Sequence, residues 1–216
     1  MRLQVALDFD DMQQCLNVAD CVNAYVDILE CGTDLLVRYG MDAVKTLRER
    51  YPQKTILCDQ KIMDGGHYFG CMANDFGADI FTVLGVSADE TVKGAIAAAR
   101  ERNIQVLVDM CSVPDYKARA VQIRSWGADY ICIHTPTDQQ AEYSFHEHVG
   151  EIADLIGAEH CAVAGGIDPQ RCQYLRKIQP EIVIVGSFIT YSNDPLQAVK
   201  EIREALYGET IDRCGR

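Results

Sequence analysis

Short apolar runs and amphipathic stretches alternate along the chain eight times. The runs lie at residues 3–8, 26–30, 55–59, 79–83, 105–109, 130–134, 161–164 and 182–185, each of strand length. Ile182-Val183-Ile184-Val185 is apolar at every position, as expected of a strand covered on both faces. The intervening stretches carry a period of 3.6. Met12, Cys15, Leu16, Ala19 and Val22 share one face of the first helix, and Val92, Ala95, Ile96 and Ala99 one face of the fourth.

Local chemistry marks the ends of these elements. Asp168-Pro169 and Asp194-Pro195 each put an N-cap acceptor before a proline at the first helical position. Gly77 and Gly127 fall where the third and fifth helices should stop, each followed by Ala-Asp and the next strand. Eight strand–helix units without a Pro/Gly/Ser-rich linker predict parallel strands joined by crossovers. The expected architecture is a single (β/α)8 TIM barrel over residues 1–216. An open, doubly wound sheet is the structural alternative.

Composition narrows the partners. A net charge of −12 with no basic run argues against nucleic acid and anionic membrane surfaces. No apolar run is long enough to span a bilayer, and residues 3–7 are too short for the core of a secretory leader. Ten cysteines scatter without a Cys-x-x-Cys pair, several inside apolar runs such as Ile131-Cys132-Ile133. They read as reduced core residues of a cytoplasmic protein and not as a zinc site.

Catalytic groups in a barrel belong at the C-terminal ends of its strands. Here those ends carry Asp8, Glu30, Asp59, Asp109 and His134. The densest cluster is Asp59-Gln60-Lys61-Ile62-Met63-Asp64. On an extended strand, residues two apart face the same side, so Asp59 and Lys61 are expected to point together into the mouth. A lysine among carboxylates stays charged and can stabilise an oxyanion. Glu30 and Asp59 are hard oxygen ligands suited to Mg²⁺. His134 is a candidate for moving a proton near neutral pH. His146-x-His148 has the look of a metal pair, but its polar, helix-start setting favours a surface role; the role of His67 is open. The turns at Gly165-Gly166 and Gly186-Ser187 follow the seventh and eighth strands, where backbone amides bind phosphate in this fold.

With those residues in view, the chain resembles the orotidine-5′-monophosphate decarboxylase suprafamily, and within it the 3-hexulose-6-phosphate synthases. The likeness runs from Leu3-Gln4-Val5-Ala6-Leu7-Asp8 to Asp194-Pro195. It includes Glu30-Cys31-Gly32-Thr33, Lys61-Ile62-Met63-Asp64, Thr82-Val83-Leu84-Gly85-Val86, Val108-Asp109-Met110, His134-Thr135 and Ala162-Val163-Ala164-Gly165-Gly166-Ile167. The resemblance implies a Mg²⁺-dependent aldol condensation of ribulose 5-phosphate with formaldehyde. It also implies a homodimer in which Asp64 enters the partner's site. A sibling activity, 3-keto-L-gulonate-6-phosphate decarboxylation, would call for arginines at positions 137 and 187, where this chain has Thr137 and Ser187. Gln60, Phe69, Pro136 and Glu142-Tyr143 depart from the family pattern. A barrel that binds a sugar phosphate without turning it over is the non-enzymatic alternative.

Overall fold

The computed structural model describes residues 1–139 and 145–208. Its strands are β1 (Arg2–Leu7), β2 (Ile28–Cys31), β3 (Thr55–Ile62), β4 (Ile80–Leu84), β5 (Gln105–Asp109), β6 (Tyr130–His134), β7 (Cys161–Ala164) and β8 (Ile182–Val185). Around them lie α1 (Met12–Val22), α2 (Thr33–Tyr39), α3 (Asp42–Arg50), α4 (Gly66–Asp75), α5 (Asp89–Arg102), α6 (Tyr116–Trp126), α7 (Phe145–Ile156), α8 (Pro169–Ile178), α9 (Ser187–Thr190) and α10 (Pro195–Tyr207). Each strand pairs in parallel with the next, and β8 pairs with β1, so the sheet closes on itself. The fold is a (β/α)8 barrel. That closure removes the open-sheet alternative.

Strand alternation explains the apolar runs. Ala6, Ile28, Leu57, Ile80, Leu107, Cys132, Ala162, Ile182 and Ile184 point inward and form one buried cluster. Their neighbours Val5, Leu29, Cys58, Phe81, Val108, Ile131, Val163 and Val183 point outward and join the larger core beneath the helices. Through this layer both faces of each strand are buried, and a slip of one residue would exchange them. The foot of the barrel is closed by Arg2, which donates to Tyr130 Oη at 2.7 Å and to Glu181 at 2.9 Å, while Gln105 also donates to Tyr130 Oη.

The helix ends follow the expected chemistry. Asp168 and Asp194 accept from Arg171 N at 2.8 Å and Gln197 N at 3.0 Å, each with its proline in the first turn. Gly77 and Gly127 adopt φ of +96° and +93°. They follow α4 and α6 rather than a third and fifth helix, because β2 and β3 are joined by two helices. Gly40, at φ +63°, ends the first of that pair. The nine described cysteines are free, most of them buried. Among the described residues no helix is long and apolar enough to cross a membrane.

Several strand limits differ from expectation. β1 stops at Leu7, so Asp8 begins the loop, and β2 and β4 are displaced toward the mouth. At the start of β2, Asp27 is spent on β1, its carboxylate accepting from Leu3 N at 2.8 Å. β3 runs three residues beyond Asp59. Its pairing with β4 shifts between Cys58 and Ile62, and Ile62 regains a partner in Val83.

Candidate active site

The inward alternation that buries an aliphatic layer also builds the site above it. Two residues beyond Ile28, Leu57, Ile80, Leu107 and Cys132 come Glu30, Asp59, Thr82, Asp109 and His134. These groups line a cavity of about 550 Å³ at the C-terminal mouth of the barrel, together with Asp8, Lys61, Gly165, Gly166, Gly186 and Ser187. Six carboxylates face it, from Asp8, Glu30, Asp34, Asp59, Asp109 and Asp138. Among the described lining residues, Lys61 is the only lysine or arginine.

Asp59 and Lys61 do meet, as expected, but simple alternation is not what brings them together. Lys61 has φ +46°, inside the register shift of β3. A lysine in the left-handed region costs about 1 kcal/mol or more relative to an extended residue. Its backbone N–H is directed at Thr82 Oγ1, 2.9 Å away, instead of a β4 carbonyl. The side chain returns over the strand, where its ammonium pairs with the Asp59 carboxylate and donates to Thr33 Oγ1 at 3.0 Å. Asp59 is gripped further by Thr33 and Thr82, whose hydroxyls donate to its two oxygens at 2.9 and 2.8 Å. Burial pushes the Lys61 pKa down, but Asp59, Glu30 and Asp109 outweigh it and hold the ammonium above its ordinary value.

The carboxylates beside this pair are under opposite pressure. Glu30 is buried, and that burial, followed by repulsion from Asp59 and Asp8, raises its carboxyl well above the usual range. Gln4 Nε2 donates to it at 2.5 Å from the layer below. Asp8 is raised to about 6, first by burial and then by Asp59. A lining with six carboxylates and one lysine carries excess negative charge that a divalent cation would offset, and oxygen donors of this kind suit a hard one. Glu30 and Asp59 are buried carboxylates on adjacent strands and could hold one.

His134 Nδ1 lies 2.8 Å from Asp109 Oδ2. Burial opposes its protonation, but the hydrogen bond and charge of Asp109 prevail and raise the imidazole above its ordinary value. The other oxygen of Asp109 accepts from Cys111 N at 2.8 Å, which fixes the carboxylate. Beside this pair, on the loop after the neighbouring β7, Gly165 and Gly166 have φ of +96° and +63°. A Cβ on Gly165 would sit 2.1 Å from Thr135 O, so the loop passes too close for any other residue. Arg171 holds this turn by donating to the Gly166 carbonyl and, at 3.3 Å, to that of Gly165.

Asp64 lies outside this cavity. It is exposed on the rim, accepts from Gly65 N at 2.7 Å, and borders a shallow apolar depression with Val37, Ile62, Met63, Phe69 and Met72. His67 is on the outer surface, 2.9 Å from Glu101. His148 packs on the Tyr116 ring at 4.7 Å between centroids. The side chain of His146 and the Glu142-Tyr143 departure lie outside the described residues. Gln4, Thr33 and Thr82 lie in segments that carry the family resemblance, but neither they nor Arg171 were singled out as site residues. The signal available for the first three was their position, inward-facing or directly after a strand, next to an acid on the neighbouring strand.

The sequence and the architecture have counterparts in known proteins. The chain is 39% identical over 210 residues to the 3-hexulose-6-phosphate synthase of Staphylococcus haemolyticus, covering 97% of this chain and 100% of that one. It is similar to the crystal structure of 3-hexulose-6-phosphate synthase from Salmonella typhimurium, with 41% identity, a TM-score of 0.86, and 96% and 99% of the two chains covered. It is also similar to the 3-keto-L-gulonate-6-phosphate decarboxylase structure from Vibrio cholerae, at 25% identity and a TM-score of 0.82, over 95% and 96% of the chains. Likeness at this level to named synthases over the full length makes it a lyase-type enzyme. Residues 1–202 match the Orotidine 5'-phosphate decarboxylase / HUMPS family, and the chain belongs to that family.

Proposed function

We propose that the chain condenses ribulose 5-phosphate with formaldehyde to give 3-hexulose 6-phosphate. The observation that carries this reading is its full-length similarity to relatives named 3-hexulose-6-phosphate synthase. Thr137 and Ser187 support it over the decarboxylase reaction. Both line the cavity, at the two positions where the decarboxylase resemblance calls for arginine.

The loop amides around Gly165, Gly166, Gly186 and Ser187 take the phosphate, which places the ketose end over the carboxylates. Glu30 and Asp59 hold Mg²⁺, which when bound supplies Lewis-acid charge for the substrate oxygens. His134 or a neighbouring carboxylate removes a proton from C1, and Lys61 faces the charge of the resulting 1,2-enediolate. C1 then attacks formaldehyde. The carbon–carbon bond forms, the carbonyl electron pair moves to oxygen, and that oxygen takes a proton to become the new hydroxymethyl group. Asp8 and Asp109 position the charged partners. The enzyme works in the cytoplasm as a homodimer in which Asp64 reaches the other subunit's cavity; its place on an apolar rim outside its own cavity supports that role. A side-by-side assay with Mg²⁺ tests the reading. Turnover of ribulose 5-phosphate plus formaldehyde supports it, and preferential decarboxylation of 3-keto-L-gulonate 6-phosphate overturns it.

A further inference from the structure

Cys111 brings a thiol to the rim of the barrel mouth, where the proposed reaction has no use for it. Cys111 follows β5 and lines the cavity. Its backbone N–H is anchored on Asp109, and the next residue, Ser112, is held at φ +60°. A non-glycine residue in that region costs about 1 kcal/mol or more, so the turn is kept by its surroundings. The thiol has Ser112 Oγ at 3.6 Å as a polar neighbour. One ligand atom each from Asp109, Cys111 and His134 lies within 4.8 Å of the other two.

We propose that Asp109, Cys111 and His134 form a second cation site in the mouth, specific for a thiophilic divalent ion such as Zn²⁺. A sulfur, a nitrogen and an oxygen from the protein leave the fourth tetrahedral position for water, the pattern of an open zinc site. Zinc bonds of about 2.0–2.3 Å require ligand atoms roughly 3.3–3.6 Å apart. The His134–Asp109 contact of 2.8 Å must open by about half an ångström or more, and the thiol must turn inward. Lys61 opposes a cation here, but six carboxylates line the same mouth and the balance favours a dication. Ligand softness separates this site from Glu30 and Asp59, whose oxygens suit Mg²⁺. On binding, the S–H bond breaks, its electron pair goes to the metal and the proton goes to solvent, with no change of oxidation state. Occupancy engages the imidazole of His134, so a thiophilic ion bound here opposes any proton transfer by that group.

The competing cluster is His67, Cys71 and Glu101 on the outside of α4 and α5. That group is more exposed and has Arg102 against it, an unfavourable neighbour for a cation. The test is a Co²⁺ titration of the full chain in excess Mg²⁺, followed by thiolate-to-cobalt charge-transfer absorption. We expect a band in wild-type protein that Zn²⁺ displaces. Cys111→Ser should lose the band and weaken binding at least about tenfold, while Cys71→Ser should keep both. No band in wild-type protein, or a band that survives Cys111→Ser, overturns the proposal. A second measurement needs no variant. Zn²⁺ should slow alkylation of Cys111 in the wild-type chain, read by peptide mass, and an unchanged rate likewise overturns it.

Discussion

Replacing Lys61 by alanine should abolish most turnover while leaving a folded, substrate-binding protein. The ammonium is pinned on Asp59 and Thr33, and the pressures on it favour the charged form. A preorganised charge that meets its partner only as the enediolate forms acts on kcat more than on affinity. Loss of such a partner costs about 10²–10³ in kcat, or about 2.7–4 kcal/mol. The backbone sets a second, separable effect. Position 61 has φ +46°, so alanine inherits the strain, whereas Lys61→Gly is freed of about 1 kcal/mol of it. The glycine variant should therefore unfold at higher denaturant than the alanine variant and be equally inactive. The assay is exchange of the C1 proton of ribulose 5-phosphate with D₂O, followed by NMR without formaldehyde. Wild-type protein should exchange and both variants should not. Exchange at the wild-type rate in Lys61→Ala removes Lys61 as the enediolate's partner, and with it the proposed mechanism.

Other expectations follow from the same geometry. Chelation should abolish activity and Mg²⁺ should restore it; full activity in protein shown metal-free by elemental analysis would exclude Glu30 and Asp59 as ligands of an essential ion. Gly166→Asn tolerates the positive φ better than a β-branched residue but crowds the phosphate cradle, and should raise KM for the phosphorylated ketose at least about tenfold. An unchanged KM places the phosphate elsewhere. The Asp109–His134 pair should also show in stability. Because the folded His134 pKa is raised, its contribution is complete below the unfolded value and fades as pH rises through the folded one. The gap in urea midpoint between wild type and His134→Gln should thus be wider near pH 5.5 than near pH 8.5, on either side of an ordinary histidine pKa of about 6.5. A gap that widens with pH contradicts the assigned direction.

How much of this was legible in the sequence depended on whether the deciding contact was local. The barrel was legible because each apolar run had to satisfy two buried faces and each helix one, and those periods are written in consecutive residues. The second helix between β2 and β3 was missed although Gly40 marks it. A single glycine looks the same in sequence whether it interrupts one helix or separates two, and only its φ of +63° distinguishes them. Charged groups were legible by position, since an acid at the end of an apolar strand has few other reasons to be there. Their neutral partners were not. Gln4, Thr33 and Thr82 are ordinary residue types, and what sets them apart is the group facing them from the next strand or across the layer.

Lys61 shows where period-two reasoning holds and where it does not. Alternation put Lys61 on the face of Asp59, and the ammonium does reach that carboxylate. A regular strand would also have continued its pairing with β4 without a break. Instead the register shifts between Cys58 and Ile62, Thr82 Oγ1 takes the Lys61 N–H, and the backbone at Lys61 turns left-handed. Thr82 joins the two parts of this arrangement, donating to Asp59 while accepting from Lys61 N. The strain at Lys61 is thus held by the same hydroxyl that orients its charge partner. Thr82→Val, close in shape but without the hydroxyl, removes both contacts at once. It should weaken the fold by about 1–3 kcal/mol, through an unsatisfied buried N–H and a carboxylate short of one donor. It should also lower kcat by loosening the ammonium from its position. Thr82→Ser, which keeps the hydroxyl, should restore most of both. If valine and serine behave alike in urea unfolding and in turnover, the register shift is sustained by packing, and Thr82 does not position Lys61.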